Sequence, residues 1–325
     1  MLRSDKPKTK AGDDMQEFLI TVDIMGPLLL TLCVGVLLRR IGLMDEKLTT
    51  GMNQLVFRIF LPVMLFNNLR TLDISQMPGL GFSGFVIFGV AGIYLIAQWI
   101  VPKFVKDPRR SGVIVQGIFR TNFAVLGIPL MDAMFGDAGL AALSLAMPLV
   151  VPLNNILGVV SLSATGGKTS VKKVILNVIT NPLIIAVLLG LVLLMTGVKL
   201  PAMADEVLGD LGGLTSTVSL LVLGASLKWQ GVKENKKALT IVVLLKQLII
   251  PFTMLACAVL MGFRQAELGV FVILFGAPVA VSSYPMAQAM GGDAQLAASQ
   301  LVLTTVFSMG TLFLLIYTGK LLGVL

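Results

Sequence analysis

Long apolar runs recur along the chain, at roughly residues 20–39, 53–70, 80–105, 112–135, 138–163, 174–198, 209–228, 238–262, 267–290 and 295–323, with short polar segments between them. A helix needs about 20 apolar residues to cross roughly 30 Å of hydrocarbon, and core helices of soluble domains are seldom so long or so uniformly apolar. The pattern predicts an all-α polytopic membrane protein with ten transmembrane helices. Several of these spans carry Pro, Gly or Asn, which matter below.

The pattern also repeats. Residues 124–142 (AVLGIPLMDAMFGDAGLAA) match residues 280–298 (AVSSYPMAQAMGGDAQLAA) without a gap, at an offset of 156. Ala124, Pro129, Met134, Gly136, Asp137 and Leu140 align with Ala280, Pro285, Met290, Gly292, Asp293 and Leu296. A weaker match pairs Pro27, Gly35 and Gly42 with Pro182, Gly190 and Gly197, at an offset of 155. Each copy encloses five spans, an odd number, so the second must enter the membrane in the opposite sense. The expected organisation is a polar N-terminal extension (1–19), a first five-helix repeat (20–163) and a second, inverted one (174–323). Inverted repeats are a transporter signature, because the two halves can exchange conformations about a site between them.

Composition agrees: of 325 residues 56% are hydrophobic and 13% charged, and mean hydropathy is +0.93. The net charge of +8 sits in short clusters between apolar runs, which marks cytoplasmic loops rather than a nucleic-acid surface. Arg39, Arg40 and Lys47 follow the first span, Lys103, Lys106, Arg109 and Arg110 the third, Lys168, Lys172 and Lys173 the fifth, and Lys228, Lys233, Lys236 and Lys237 the seventh. The remaining loops hold Arg70, Lys199 and Arg264. This asymmetry places the odd-numbered loops in the cytoplasm and both termini outside, in a multi-pass protein of the plasma membrane.

The chain has no His, so neither a Ser-His triad nor a His-ligated metal centre can be built, and no catalytic or metal-ligating residues are expected. Cys33 and Cys257 each lie inside an apolar run and read as small buried hydrophobes. Gly166, Gly167, Lys168 and Thr169 lack the upstream glycine of a phosphate-binding loop, so ATP is not the expected energy source.

The repeated motif supplies the candidate site. The fourth and ninth spans each carry a proline of the repeated motif beside small or polar residues, Asn122, Gly127 and Pro129 in one and Ser282, Ser283 and Pro285 in the other. Proline removes a backbone donor and clashes with the preceding turn, so each span is expected to break there. Unpaired backbone is tolerated at membrane depth only beside protein or a water-filled cavity, which points to a midplane site where half-helix N-termini face an anion. Arg120 precedes the first break, where an unpaired charge costs at least about 2.5 kcal/mol. It either attracts a substrate carboxylate, snorkels to an interface, or pairs with a carboxylate such as Asp132. Asn122 either hydrogen-bonds a substrate oxygen or caps the half-helix. Asn67, Asn68, Asn154 and Asn155 are secondary candidates, with helix-to-helix hydrogen bonding as the plainer role. Arg58, Lys246 and Gln247 read as interface anchors, and Asp137 and Asp293 as turn residues or caps.

The stretches RTNFAVLGIPLMDAMFGDAG, NPLIIAVLLGL and SSYPMAQAMGGDAQLAASQ resemble the auxin efflux carrier family of membrane transport proteins, over essentially the whole chain after residue 15. The resemblance implies broken, crossed helices 4 and 9 in an architecture shared with the bile acid sodium symporters, a scaffold of helices 1, 2, 6 and 7, and an elevator-type mobile domain. It makes Pro129 and Pro285 the crossover prolines and Asn122 the crossover asparagine. Plant members export auxin and carry a long insert between the halves, whose place here is filled only by about residues 164–173. Bacterial members include malate and malonate permeases. The resemblance thus implies no enzyme but a secondary carrier of a small organic anion, a carboxylate such as malate, malonate or an auxin-like acid. No cofactor is expected; proton and sodium are the candidate coupling ions, and a homodimer is implied by the resemblance alone. The alternatives are a sodium-coupled symporter of a larger amphipathic anion and a non-transporting sensor or channel.

Overall fold

The computed structural model describes residues 10–71, 79–164, 176, 180–227 and 229–325. Residues 1–9 of the polar extension, the Lys168, Lys172 and Lys173 loop and most of the first turns of the sixth predicted span lie outside the described residues. Among the described residues every regular element is helical. The helices are α1 (Lys10–Arg40), α2 (Glu46–Arg70), α3 (Leu80–Phe104), α4 (Pro108–Phe119), α5 (Phe123–Ala164), α6 (Pro182–Thr196) and α7 (Ala202–Ser226), followed by α8 (Trp229–Glu234), α9 (Lys236–Leu260), α10 (Gln265–Gly276), α11 (Ser283–Ala289) and α12 (Ala294–Leu321). Seven described stretches are long and apolar enough to cross a membrane, while α6 and α10 are apolar but shorter. Helix α1 starts at Lys10, so the last part of the polar extension continues the first span as helix.

One of the seven stretches, Pro108–Ser163, is 56 residues long and is not a single rod. It is interrupted after Phe119 and again at Gly136, whose φ of 55° and ψ of −138° belong to a backbone region that side-chain-bearing residues avoid. At this turn α5 folds so tightly that a Cβ on Gly139 would collide with the Met131 carbonyl.

Helices α2 and α9 each contain a π-helical turn, Val56–Phe60 and Leu245–Ile249, just before Pro62 and Pro251. A proline deletes one donor and pushes against the carbonyl four residues back, and a wide turn accommodates both without a sharp kink. The freed Gln247 carbonyl accepts a hydrogen bond from Thr311 Oγ1 of α12 at 2.8 Å, the kind of neighbour rescue that a proline inside a membrane helix requires. Thr311→Val should therefore cost about 1 kcal/mol, read as a lowered thermal midpoint in detergent. Thr318→Val, whose hydroxyl donates to the Leu314 and Leu315 carbonyls of its own helix, should leave the midpoint unchanged.

Helix α1 packs along α7, and α2 along α6 and α7. These contacts are backbone-close. A Cβ on Gly35 would strike the Leu221 carbonyl, one on Gly224 the Leu32 carbonyl, and one on Gly190 would meet Leu69 and Phe66 at 2.9 Å. Close approach through small residues is the usual way for helices to hold together where lipid competes equally for apolar side chains. The remaining core is built on α10, which is buried from Leu268 to Gly276 against α3, α5, α9 and α12.

Large apolar residues are turned outward along the bundle, among them Phe88, Leu95, Ile96, Trp99, Met195 and Leu260. An apolar exterior of this extent suits hydrocarbon, not water. Cys33 and Cys257 belong to it: both are exposed and unpaired, which corrects the expectation that they are buried. In a bilayer an apolar side chain gains little by facing inward, so position in an apolar run does not predict burial.

Candidate functional site at the crossing of two helix breaks

Helix α4 ends at Phe119, Arg120 is extended (φ −72°, ψ 139°), and helix resumes at Phe123. Helix α10 ends at Gly276, Ala277 is extended (φ −66°, ψ 154°), and helix resumes at Ser283. The two breaks meet. Asn122 N donates to the Pro278 carbonyl at 2.9 Å, Thr121 Oγ1 to the Ala277 carbonyl at 3.4 Å, and Val279 N to Thr304 Oγ1 at 3.2 Å. Backbone groups that neither helix can satisfy are thus partly satisfied by the opposite break and by α12, as burial at membrane depth demands.

The breaks do not fall at the repeated prolines. Pro129 is half-buried inside α5, six residues after that helix begins, and Pro285 lies in the first turn of α11. A first-turn proline costs little, since its missing N–H would have had no helical partner. The residue that ends α10 is instead Pro278, because a proline disfavours helical geometry in the residue before it, here Ala277.

Arg120 is the centre of the arrangement. Its side chain is 1% exposed; Nη2 donates to Asn155 Oδ1 and to Ser282 Oγ, both at 2.8 Å, and Nη1 points at Met286 Sδ. Gly158 lies against the guanidinium face, and Nε is buried without a partner. Every partner is neutral. Arg120 neither snorkels nor pairs with Asp132: it is buried, and Asp132 is exposed. Among the described residues the buried charged side chains are Arg120 and Lys246, with no buried carboxylate to offset them.

The structure brings Arg120, Ser282 and Asn155 together, and sets Asn122 and Ser283 beside them. Ser283 Oγ and Asn154 Oδ1 are buried without partners, and Asn122, 5% exposed, occupies the position before α5. Gly127 instead packs against Leu143, where a Cβ would come within 2.8 Å of its side chain. The Pro285 carbonyl accepts from Asn53 Nδ2 at 3.5 Å. Asn67 is elsewhere, bonded to Arg70 Nε and the Leu208 carbonyl, and the same Arg70 pairs with Asp205, so this cluster ties α2 to α7. Asn68 is half-buried on the same turn. Asp293 does cap α12, accepting from Leu296 N at 3.0 Å.

Residues absent from the sequence-derived site complete it: Met286 and Asn53 contact it directly, and Thr304 braces the second break. Lys246 and Gln247 are each 1% exposed and so are not interface anchors. For Lys246 the signal was available, since a charge near the middle of a 25-residue span is costly at either face. A polar cleft lined by Arg39, Glu46, Thr49, Thr50, Gln288 and Gln295 leads inward to Tyr284, beside Ser283.

A profile described as membrane transport protein matches residues 21–316. The chain belongs to this family. The assignment agrees with the resemblance carried by the two repeated motifs, and it makes the molecule a multi-pass member of a transporter family. Among the relatives of this membrane transport protein is an "Uncharacterized transporter" of Methanothermobacter thermautotrophicus, 23% identical over 294 residues that cover 90% of this chain and 96% of that one. The "Uncharacterized transporter YfdV" of Escherichia coli K12 is 21% identical over 307 residues, 91% of this chain and 97% of that one. The mouse "Lysosomal cholesterol signaling protein" is 22% identical over 306 residues, 86% of this chain but 35% of its own length.

Proposed function

We propose that this protein is a secondary transporter of a small organic anion, a carboxylate such as malate, malonate or an auxin-like acid, which it binds where the two helix breaks cross. The observation that carries the reading is Arg120, a fully buried guanidinium whose partners are an asparagine oxygen, a serine oxygen and a thioether. A buried cation without a counter-charge is expensive, and a carboxylate that accepts its hydrogen bonds offsets that cost. Asn122, Ser282, Ser283 and Arg120 are the proposed ligands, with the N-terminal ends of α5 and α11 adding favourable dipoles.

In this reading the chain crosses the membrane ten times, as two inverted five-helix repeats. α4 with the first part of α5 forms the fourth crossing, and α10 with α11 the ninth. Helices α1, α2, α6 and α7 form the scaffold against which the crossed helices move elevator-fashion, with the basic loops in the cytoplasm of a plasma-membrane protein. The cleft beside Tyr284 is lined on one side by Arg39 of the first basic loop, and would be the inward-facing approach to the site.

The test is uptake of labelled carboxylates by proteoliposomes under imposed proton or sodium gradients. Saturable uptake of one anion, abolished by Asn122→Ala, is expected; no uptake under either gradient by folded protein would overturn the reading. A sodium requirement with a larger amphipathic acid would favour the symporter alternative. The signalling name of the mouse relative supports a second reading, a membrane sensor, for which saturable binding without flux is the distinguishing result.

A further inference from the structure

Helices α4, α9 and α12 run side by side in a fixed register. Near their starts Arg110 hydrogen-bonds Asn235, 125 residues on; two turns later a Cβ on Gly117 would meet Val242, again 125 residues on. Helices α4 and α9 are therefore parallel and unshifted. Asp293 N bonds the Arg109 carbonyl, and Gly117 also abuts the Gln300 side chain, so α12 is parallel to both. Followed one turn further, this register carries α4 to Arg120 and the break, α12 to Thr304, which does bond the break at Val279, and α9 to Lys246.

Lys246 thus reaches the depth of the crossing on the face of α9 that Val242 turns toward α4. It is the second residue of the π-helical turn Leu245–Ile249 and is 1% exposed. No hydrogen bond or ion pair joins it to a described residue. Its neighbour Gln247 buries both side-chain amide atoms unpaired. The other charged groups on the packed elements lie toward helix ends: Arg109 and Arg110 on α4, Lys236 and Lys237 on α9, Glu267 on α10 and Lys320 on α12. Among the described residues no buried carboxylate accompanies Arg120 and Lys246, so each carries a burial cost that an anion near it would offset.

From this juxtaposition we infer that Lys246 is a specificity-determining residue, a second cation that selects a doubly charged anion over a singly charged one. The inference rests on the anion-carrier reading above. One carboxylate of the substrate meets Arg120, and the other takes its place toward Lys246. A monoanion of the same length leaves one buried ammonium uncompensated, so discrimination comes as much from that unpaired charge as from attraction to the second carboxylate.

The experiment compares succinate with butyrate, and malonate with propionate, in binding and in proteoliposome uptake at neutral pH. The parent is set against Lys246→Met, which keeps length and apolar volume but removes the charge, and against Lys246→Arg. The parent is expected to prefer each dicarboxylate by at least about tenfold. Lys246→Met should bring that ratio close to one without losing the monocarboxylate, and Lys246→Arg should retain the preference. Thermal midpoints of the purified variants report folding independently. A parent that prefers monocarboxylates, or a Lys246→Met variant whose ratio is unchanged or whose two affinities fall in parallel, overturns this inference and leaves the carrier reading standing. A folded parent that binds no carboxylate overturns both.

Discussion

Arg120→Met is expected to abolish anion transport while leaving the protein folded. Truncating one member of a buried charge-assisted contact costs about 2–5 kcal/mol, roughly 30-fold to several thousandfold in affinity. The cost to stability is expected to be much smaller. Arg120 has no counter-charge among the described residues, and its three partners are neutral, so removing it also relieves an uncompensated buried cation. Against that gain stand the hydrogen bonds lost by Asn155 and Ser282, each worth about 1.5–3 kcal/mol when the donor is charged. Arg120→Lys separates charge from geometry: an ammonium keeps the positive potential but cannot reproduce a planar fork that reaches two acceptors. It should bind anion more weakly than the parent and more tightly than Arg120→Met. Equal transport by the parent and Arg120→Met, at equal amounts of folded protein, would remove Arg120 from the site.

Gly224→Leu is expected to have the largest effect on folding. The α1–α7 contact is reciprocal: Gly35 of α1 faces the Leu221 carbonyl, and Gly224 of α7 faces the Leu32 carbonyl, with the two glycines also against each other. The obstacle is backbone on both sides, so no rotamer change makes room. Inserting side-chain atoms into close packing costs about 1–3 kcal/mol where neighbours can yield, and here the helices must separate along their length. Loss of monodisperse protein in detergent is the expected result. Gly213→Leu is the control, since it lies on the same helix with open space around it and should express and purify like the parent. If both variants behave alike, the helices do not depend on this approach.

The legible part of the fold was its periodicity in hydropathy. Helices α3, α9 and α12 lie where apolar runs place them, and α7 ends near its run but begins earlier, at Ala202 rather than 209; the length of such a run is set by hydrocarbon thickness and needs no knowledge of neighbours. Proline positions are less informative. Pro129 and Pro285 drew attention because they repeat, yet Pro285 sits in a first turn, and the break belongs to Pro278 and to the Arg120–Thr121–Asn122 segment. A proline has the same intrinsic effect everywhere. Whether it breaks a helix depends on which carbonyls are freed and what stands nearby to satisfy them, as Thr311 does for Gln247.

The candidate site was legible in its strongest member and its repeated motif, but not in its composition. Arg120 was conspicuous as a charge in an apolar run; that its partners would be Asn155, Ser282 and Met286 follows from sequence separations of 35, 162 and 166 residues, beyond any local pattern. Lys246 is equally conspicuous, but its pattern does not separate an interface anchor from a buried group, since the same residue snorkels when its helix faces lipid and is buried when its helix is turned inward. Hydropathy alone determined that this chain lives in a bilayer as a bundle of helices, because transfer of an apolar segment depends on its own length and composition. Tertiary structure alone decided where two helices break, which polar groups meet there, and that Arg120 and Lys246 are both buried with no buried carboxylate among the described residues, because each of these depends on groups that distant segments bring within a few ångströms.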